Sequence, residues 1–215
     1  MAAKVKICGI TRPEDAGHAA EAGAAYLGVV LAGGPRQVSF VRAAEVVAAS
    51  RGVPVLGVFG GTPVGEILSL AREIGLAGVQ LHGPYARQDA ALLGAAGLIV
   101  WRVVRIASPA DLDRLGEASL DAETVLVEPR VPHAEGGTGV PLDLAVAVEA
   151  RHRLAGVRMA LAGGLTPDTV GAAMALVRPD IADVSSGVES LPGIKDHQKI
   201  ARFLEAVLGR SPTVG

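Results

Sequence analysis

Eight short apolar runs, none of them alternating, constrain this chain most. They are Val5–Ile10, Tyr26–Leu31, Pro54–Phe59, Gly78–His82, Leu98–Arg105, Thr124–Glu128, Arg158–Ala162 and Ile181–Val184. A strand with one wet face alternates apolar and polar residues. An unbroken, β-branched run instead suits a strand buried on both faces, as in a parallel sheet. The segments between the runs carry helix signals. Thr11 and Glu14 stand at capping-box spacing. Thr62-Pro63, Ser108-Pro109 and Thr166-Pro167 each pair a capping hydroxyl with a proline suited to a first helical turn. Helices are expected over Glu14–Ala22, Val41–Ala49, Val64–Ile74, Ala86–Leu93, Ala110–Leu115, Leu142–Glu149, Asp168–Leu176 and Asp196–Leu208.

Eight strands alternating with eight helices in 215 residues predict an α/β fold, a single (β/α)8 TIM barrel. The competing doubly wound sheet would more often carry G-x-G-x-x-G after its first strand, and Cys8-Gly9-Ile10-Thr11 lacks it. No linker is visible, so residues 1–208 read as one catalytic domain and 209–215 as a tail.

Composition narrows the setting. Half of the residues are apolar, which excludes disorder, and a net charge of −2 argues against a nucleic-acid or membrane-surface partner. Two charge-free stretches, Ala22–Pro35 and Ala90–Trp101, fall short of the roughly 18 to 20 residues of a membrane span. The N-terminal residues do not read as a signal peptide. One cysteine excludes an internal disulfide and a cysteine zinc site, and a cytoplasmic location is expected. His18, His152 and His197 fall on helices without ligand spacing, so no metal is expected.

Active sites of such barrels lie at the C-terminal strand ends. The polar residues there are Cys8, Arg36, His82, Glu128, the pair Gly163-Gly164, and Asp183 with Ser185-Ser186-Gly187. The last two loops follow strands seven and eight, where bare amides and close backbone approach suit a phosphate. Cys8 ends strand one with Lys6 two residues back on the same face; a cation there would lower the thiol below its usual value of about 8.5. The thiolate could then act as nucleophile, with His82 a candidate partner, or as a base. Glu128 follows three apolar residues, and burial would raise its pKa and suit a general acid; the alternative is a pair with Arg130 or another cation. The glycine-rich segment His133–Gly139 could form a lid.

Val5-Lys6-Ile7-Cys8-Gly9-Ile10-Thr11 resembles the opening signature of the phosphoribosylanthranilate isomerases of tryptophan biosynthesis. The likeness continues through Gln80-Leu81-His82-Gly83, Gly136-Gly137-Thr138-Gly139 and Leu161-Ala162-Gly163-Gly164-Leu165. It ends with Asp183-Val184-Ser185-Ser186-Gly187-Val188-Glu189 and Pro192-Gly193-Ile194-Lys195-Asp196. The resemblance implies a cofactor-free Amadori rearrangement of a small phosphorylated substrate by a monomer or homodimer. It implies an acid at Glu128 that opens the ribose ring and a base at Cys8 that takes the C2′ proton. Lys6, Arg36, His82 and Asp183 would meet the substrate, Arg36 at the anthranilate carboxylate and Asp183 near the amino group. Gly163, Gly164, Ser186 and Gly187 would hold the phosphate.

Two departures stand out. The family acid is an aspartate, and the extra methylene of Glu128 moves the carboxyl by roughly 1.5 Å; an uncompensated misplacement of about 1 Å costs on the order of 10²-fold. Gly33-Gly34-Pro35-Arg36 replaces Ser-Pro-Arg. Two alternatives remain. One is the related histidine-pathway aminoaldose isomerase, which uses an aspartate where Cys8 stands. The other is a non-catalytic phosphate-binding barrel, favoured if the Glu128 carboxyl turns outward into a salt bridge.

Overall fold

The chain was analysed as a computed structural model that describes residues 3–130 and 141–209. Eight parallel strands close into a barrel in sequence order, the first pairing with both the second and the eighth. They are β1 (Lys4–Ile7), β2 (Tyr26–Val30), β3 (Val55–Phe59), β4 (Gly78–Leu81), β5 (Ile99–Ile106), β6 (Thr124–Pro129), β7 (Arg158–Leu161) and β8 (Ile181–Val184). The surrounding helices are α1 (Pro13–Glu21), α2 (Phe40–Ala49), α3 (Val64–Ile74), α4 (Arg87–Ala95), α5 (Arg114–Ala118), α6 (Leu144–Arg153), α7 (Val170–Val177) and α8 (His197–Leu208). The expected strand–helix rhythm therefore holds along the described chain.

Two apolar layers explain why the runs do not alternate. Tyr26, Leu56, Trp101, Leu126, Ala160 and Ile181 fill the barrel interior. Leu27, Val55, Val125 and Val127, their neighbours by one residue, face outward into the layer beneath the helices. Each strand thus buries both faces. The interior is anchored by fully buried Trp101, set edge-on to Tyr26 with centroids 5.2 Å apart.

Local chemistry departs from the expectations at several helix starts. Thr11 does not cap α1; its hydroxyl donates to the Gly193 carbonyl at 2.5 Å, and the helix begins at Pro13. Thr62 does not cap α3 by its side chain, because Pro63 itself holds the cap position. After Ser108 the chain makes a 3-10 turn, Pro109–Asp113, and the Asp111 carboxylate reaches back to the amides of Ala107 and Ser108. The short α5 follows that turn instead of starting at Ala110. Ser39, Asp143 and Asp196 do cap α2, α6 and α8. An unanticipated antiparallel hairpin, β9 (Glu189–Leu191) and β10 (Ile194–Lys195), follows β8 and turns through Gly193 at φ +82°. The proposed lid, His133–Gly139, and residues 210–215 of the expected tail lie outside the described residues.

Candidate active site

Period-two alternation carries the interior layer up to the mouth. Two residues beyond Leu126 the inward position is Glu128; two beyond Ile181 it is Asp183; two beyond Lys6 it is Cys8. A cavity of about 460 Å³ opens at this end. Of the ten expected site residues, nine line it. Lys6 does not: it is 0% exposed and lies beneath the wall. The expectation that it touches substrate is corrected accordingly.

The β1–β8 side of the mouth is built on a buried ion pair. Register sets Lys6 beside Asp183, and the ammonium lies 2.7 Å from Asp183 Oδ1. Burial alone would lower the Lys6 ammonium, but Asp183 and Cys8 together outweigh it and the net direction is up. Gly28 makes room: a Cβ there would lie 2.8 Å from Cys8 Sγ and 3.2 Å from Lys6 Nζ. The Cys8 thiol is not lowered as expected. Burial pushes it up, Lys6 pulls it down, Asp183 pushes it up again, and the net direction is up. The cation beside the sulfur already has a carboxylate of its own.

The β4–β6 side is the reverse. Glu128 Oε1 accepts from Arg105 Nε at 2.9 Å and lies 2.9 Å from His82 Nε2. A guanidinium has donors only, so at the 2.6 Å contact with Arg105 Nη2 the His82 Nδ1 accepts, and the ring proton sits on Nε2. Burial would raise the Glu128 carboxyl, but His82 first and then Arg105 outweigh it, and the net direction is down. The expected rise is thus corrected. The partner is Arg105, not Arg130, which pairs with Asp111 at 2.7 Å. His82 bonds Glu128 and Arg105, and among the described residues no hydrogen bond joins it to Cys8, which removes the support for a cysteine–histidine nucleophile. The carboxyl also lines the cavity while making its ion pair, so it has not turned outward.

Arg36 reaches the mouth over Gly9, where φ is +68° and a Cβ would lie 2.5 Å from Arg36 Cδ. Glu189 grips its guanidinium with both oxygens, at 2.8 and 2.7 Å, so the arginine does not depend on a serine in its own loop. Buried Lys195 completes the cluster, 2.8 Å from Glu189 Oε1 and 3.1 Å from the Ser185 carbonyl. Two cations and one carboxylate leave the cluster with one formal positive charge, and of the three only Arg36 lines the cavity. Burial would raise Glu189, yet Arg36 and Lys195 hold it low; burial lowers Lys195 despite Glu189.

The two late loops touch. A Cβ on Gly187 would lie 1.9 Å from the Leu165 carbonyl oxygen, so only glycine fits. Gly163 and Gly164 take φ of +103° and +63°, and among the described residues neither amide donates to a backbone carbonyl. Both loops line the cavity, and such amides are suited to hold an anion.

A family model described as N-(5'phosphoribosyl)anthranilate (PRA) isomerase matches residues 5–206. The chain belongs to that family. A curated N-(5'-phosphoribosyl)anthranilate isomerase of Symbiobacterium thermophilum is 40% identical over 225 residues, covering 95% of this chain and 98% of the relative. The solved phosphoribosyl anthranilate isomerase of Thermotoga maritima superposes with a TM-score of 0.85 at 33% identity, covering 97% and 100%. A solved family member in complex with reduced 1-(o-carboxyphenylamino)-1-deoxyribulose 5-phosphate superposes at 0.84 with 30% identity, covering 97% and 100%. The chain is accordingly an isomerase-family enzyme with a TIM-barrel fold.

Sequence reasoning missed Arg105, Glu189 and Lys195 as site residues. Arg105 carried a signal, since it is the polar residue that ends the fifth run. Glu189 and Lys195 lie on the unforeseen hairpin, and nothing local ties them to Arg36, 153 residues before Glu189.

Proposed function

We propose that the protein converts N-(5'-phosphoribosyl)anthranilate to 1-(o-carboxyphenylamino)-1-deoxyribulose 5-phosphate, a step of tryptophan biosynthesis. The observation that carries this reading is the convergence of a thiol, a carboxyl, an arginine and two glycine loops on one cavity. The phosphate binds the amides of Gly163, Gly164, Ser186 and Gly187. Arg36 takes the anthranilate carboxylate, and Asp183 lies by the amino group.

Glu128 gives a proton to the ribose ring oxygen, the C1′–O bond breaks, and the lone pair of the anthranilate nitrogen forms the C1′=N bond of a protonated imine. Cys8 takes the C2′ proton, leaving an enolamine. Loss of its hydroxyl proton and gain of one at C1′ then yields the ketone. After turnover Glu128 is ionised and Cys8 protonated, which matches the pKa directions of the resting site. One proton moved from Sγ to the carboxylate through solvent restores the reactive pair without a change in net charge. The alternative of a binding-only barrel gains no support, because the carboxyl faces the cavity.

The test is turnover by the purified protein, with substrate generated in place from anthranilate and activated ribose phosphate and its fluorescence followed. Decay well above the spontaneous rate is expected. Decay at the background rate from folded protein would overturn the proposal, and the histidine-pathway aminoaldose would be assayed next.

A further inference from the structure

Among the described residues Glu128 is held at one oxygen. Arg105 Nε bonds Oε1 and His82 Nε2 lies 2.9 Å from that same atom, while Oε2 takes no hydrogen bond from any described residue. The guanidinium makes this arrangement with two donors of one planar edge: Nε to the carboxylate, and Nη2 to His82 Nδ1. The second bond matters as much as the first. By occupying Nδ1 it forces the imidazole proton onto Nε2, the nitrogen that lies 2.9 Å from Oε1.

Backbone register supplies the placement. Arg105 on β5 pairs directly with Glu128 on β6, so the two inward side chains leave the barrel wall side by side. Arg105 itself does not line the cavity. It is three-quarters covered, behind the carboxyl. We propose that Arg105 is the positioning residue for Glu128: it fixes Oε1 directly and through His82, and so presents Oε2 to the cavity as the oxygen that carries the proton. A glutamate swings through one more rotatable bond than an aspartate, and two donors on one oxygen remove that freedom. This inference rests on Glu128 being the acid of the proposed reaction, although its structural part can be tested without turnover.

The experiment compares wild type, Arg105→Gln and Arg105→Lys, each confirmed as folded by circular dichroism. Two quantities are read: kcat with KM, and the titration of the Glu128 carboxyl by carbon-13 NMR. Arg105→Gln should lower kcat by about tenfold to a hundredfold, the scale of a misplaced reacting group, with KM moving far less. Its Glu128 should titrate at higher pH, since a cation that held it down is gone. The loss in kcat then comes despite a larger protonated fraction, so it reads position and not charge. Arg105→Lys keeps the charge without the planar fork. Its Glu128 should titrate close to wild type while kcat still falls.

Unchanged kcat in either variant would overturn the assignment. So would a kcat loss in Arg105→Gln with the Glu128 titration unmoved, which is the signature of a merely structural role. If Arg105→Gln does not fold, the kcat of Arg105→Lys decides. A wild type without turnover would overturn the proposed function alone; a Glu128 titration that ignores Arg105→Gln would still overturn the positioning role.

Discussion

The two sides of the barrel mouth each set one cation beside one acid, with opposite results. Beside Cys8 stands Lys6, and the thiol goes up. Beside Glu128 stands Arg105, and the carboxyl goes down. Burial is the largest influence on each acid and pushes both up. At the carboxyl His82 and then Arg105 together outweigh it; at the thiol Lys6 does not, and Asp183 adds to the rise. Lys6 is bonded to that carboxylate at 2.7 Å, and the sulfur faces a nearly neutral pair. Among the described residues Arg105 has no second carboxylate, and His82 Nε2 also lies 2.9 Å from Glu128 Oε1. Burial weighed against the whole cluster, and not the nearest charge alone, sets the direction.

The largest expected effect breaks the thiol side. Cys8→Ser should lower kcat/KM by about 10³-fold or more while leaving the fold intact, because a hydroxyl is a far weaker base; a steady-state assay with circular dichroism checks it. Lys6→Met strands the Asp183 carboxylate in the interior. A broken buried pair costs about 3 to 5 kcal/mol, which denaturant unfolding reads, and the thiolate absorbance at 240 nm should then appear at still higher pH. On the other side, Glu128→Gln removes the transferable proton and should cost about 10²-fold in kcat.

Asp183→Asn sharpens the comparison. It frees the Lys6 charge, so the thiol should titrate lower than in wild type, and the 240 nm titration is unambiguous because Cys8 is the only cysteine. Gly164→Val should raise KM about tenfold with a smaller change in kcat, since it crowds the anion cradle without touching either acid. The smallest effect is on stability. The folded-state Glu128 titrates below its unfolded value, so its pairing stabilises the fold above the unfolded pKa and is lost as pH falls through the folded one. Glu128→Gln should flatten that acid limb of the unfolding free energy.

The same contrast separates what was legible in the sequence from what was not. Cys8, Glu128 and Asp183 could be placed at the mouth because a strand end and a two-residue period follow from the chain alone. The glycine turns after β7 and β8 could be assigned for the same reason. The pKa directions could not, because they depend on register between distant strands: Asp183 lies 177 residues from Lys6, and Arg105 meets Glu128 only through β5–β6 pairing. Thr11 illustrates the limit at a helix start. Its spacing to Glu14 suggests a cap, yet tertiary structure offers its hydroxyl the Gly193 carbonyl instead. The hairpin that delivers Glu189 and Lys195 is short, and its two strands have too few residues for a periodic signal.

The most direct test of the account is the pH dependence of kcat/KM. A raised thiol and a lowered carboxyl predict a broad plateau, with its acid limb below the ordinary glutamate range and its alkaline limb above the ordinary thiol range. A narrow bell, with both limbs drawn in toward neutrality, would mean that Lys6 does lower the thiol and that burial does raise Glu128, and would contradict the account.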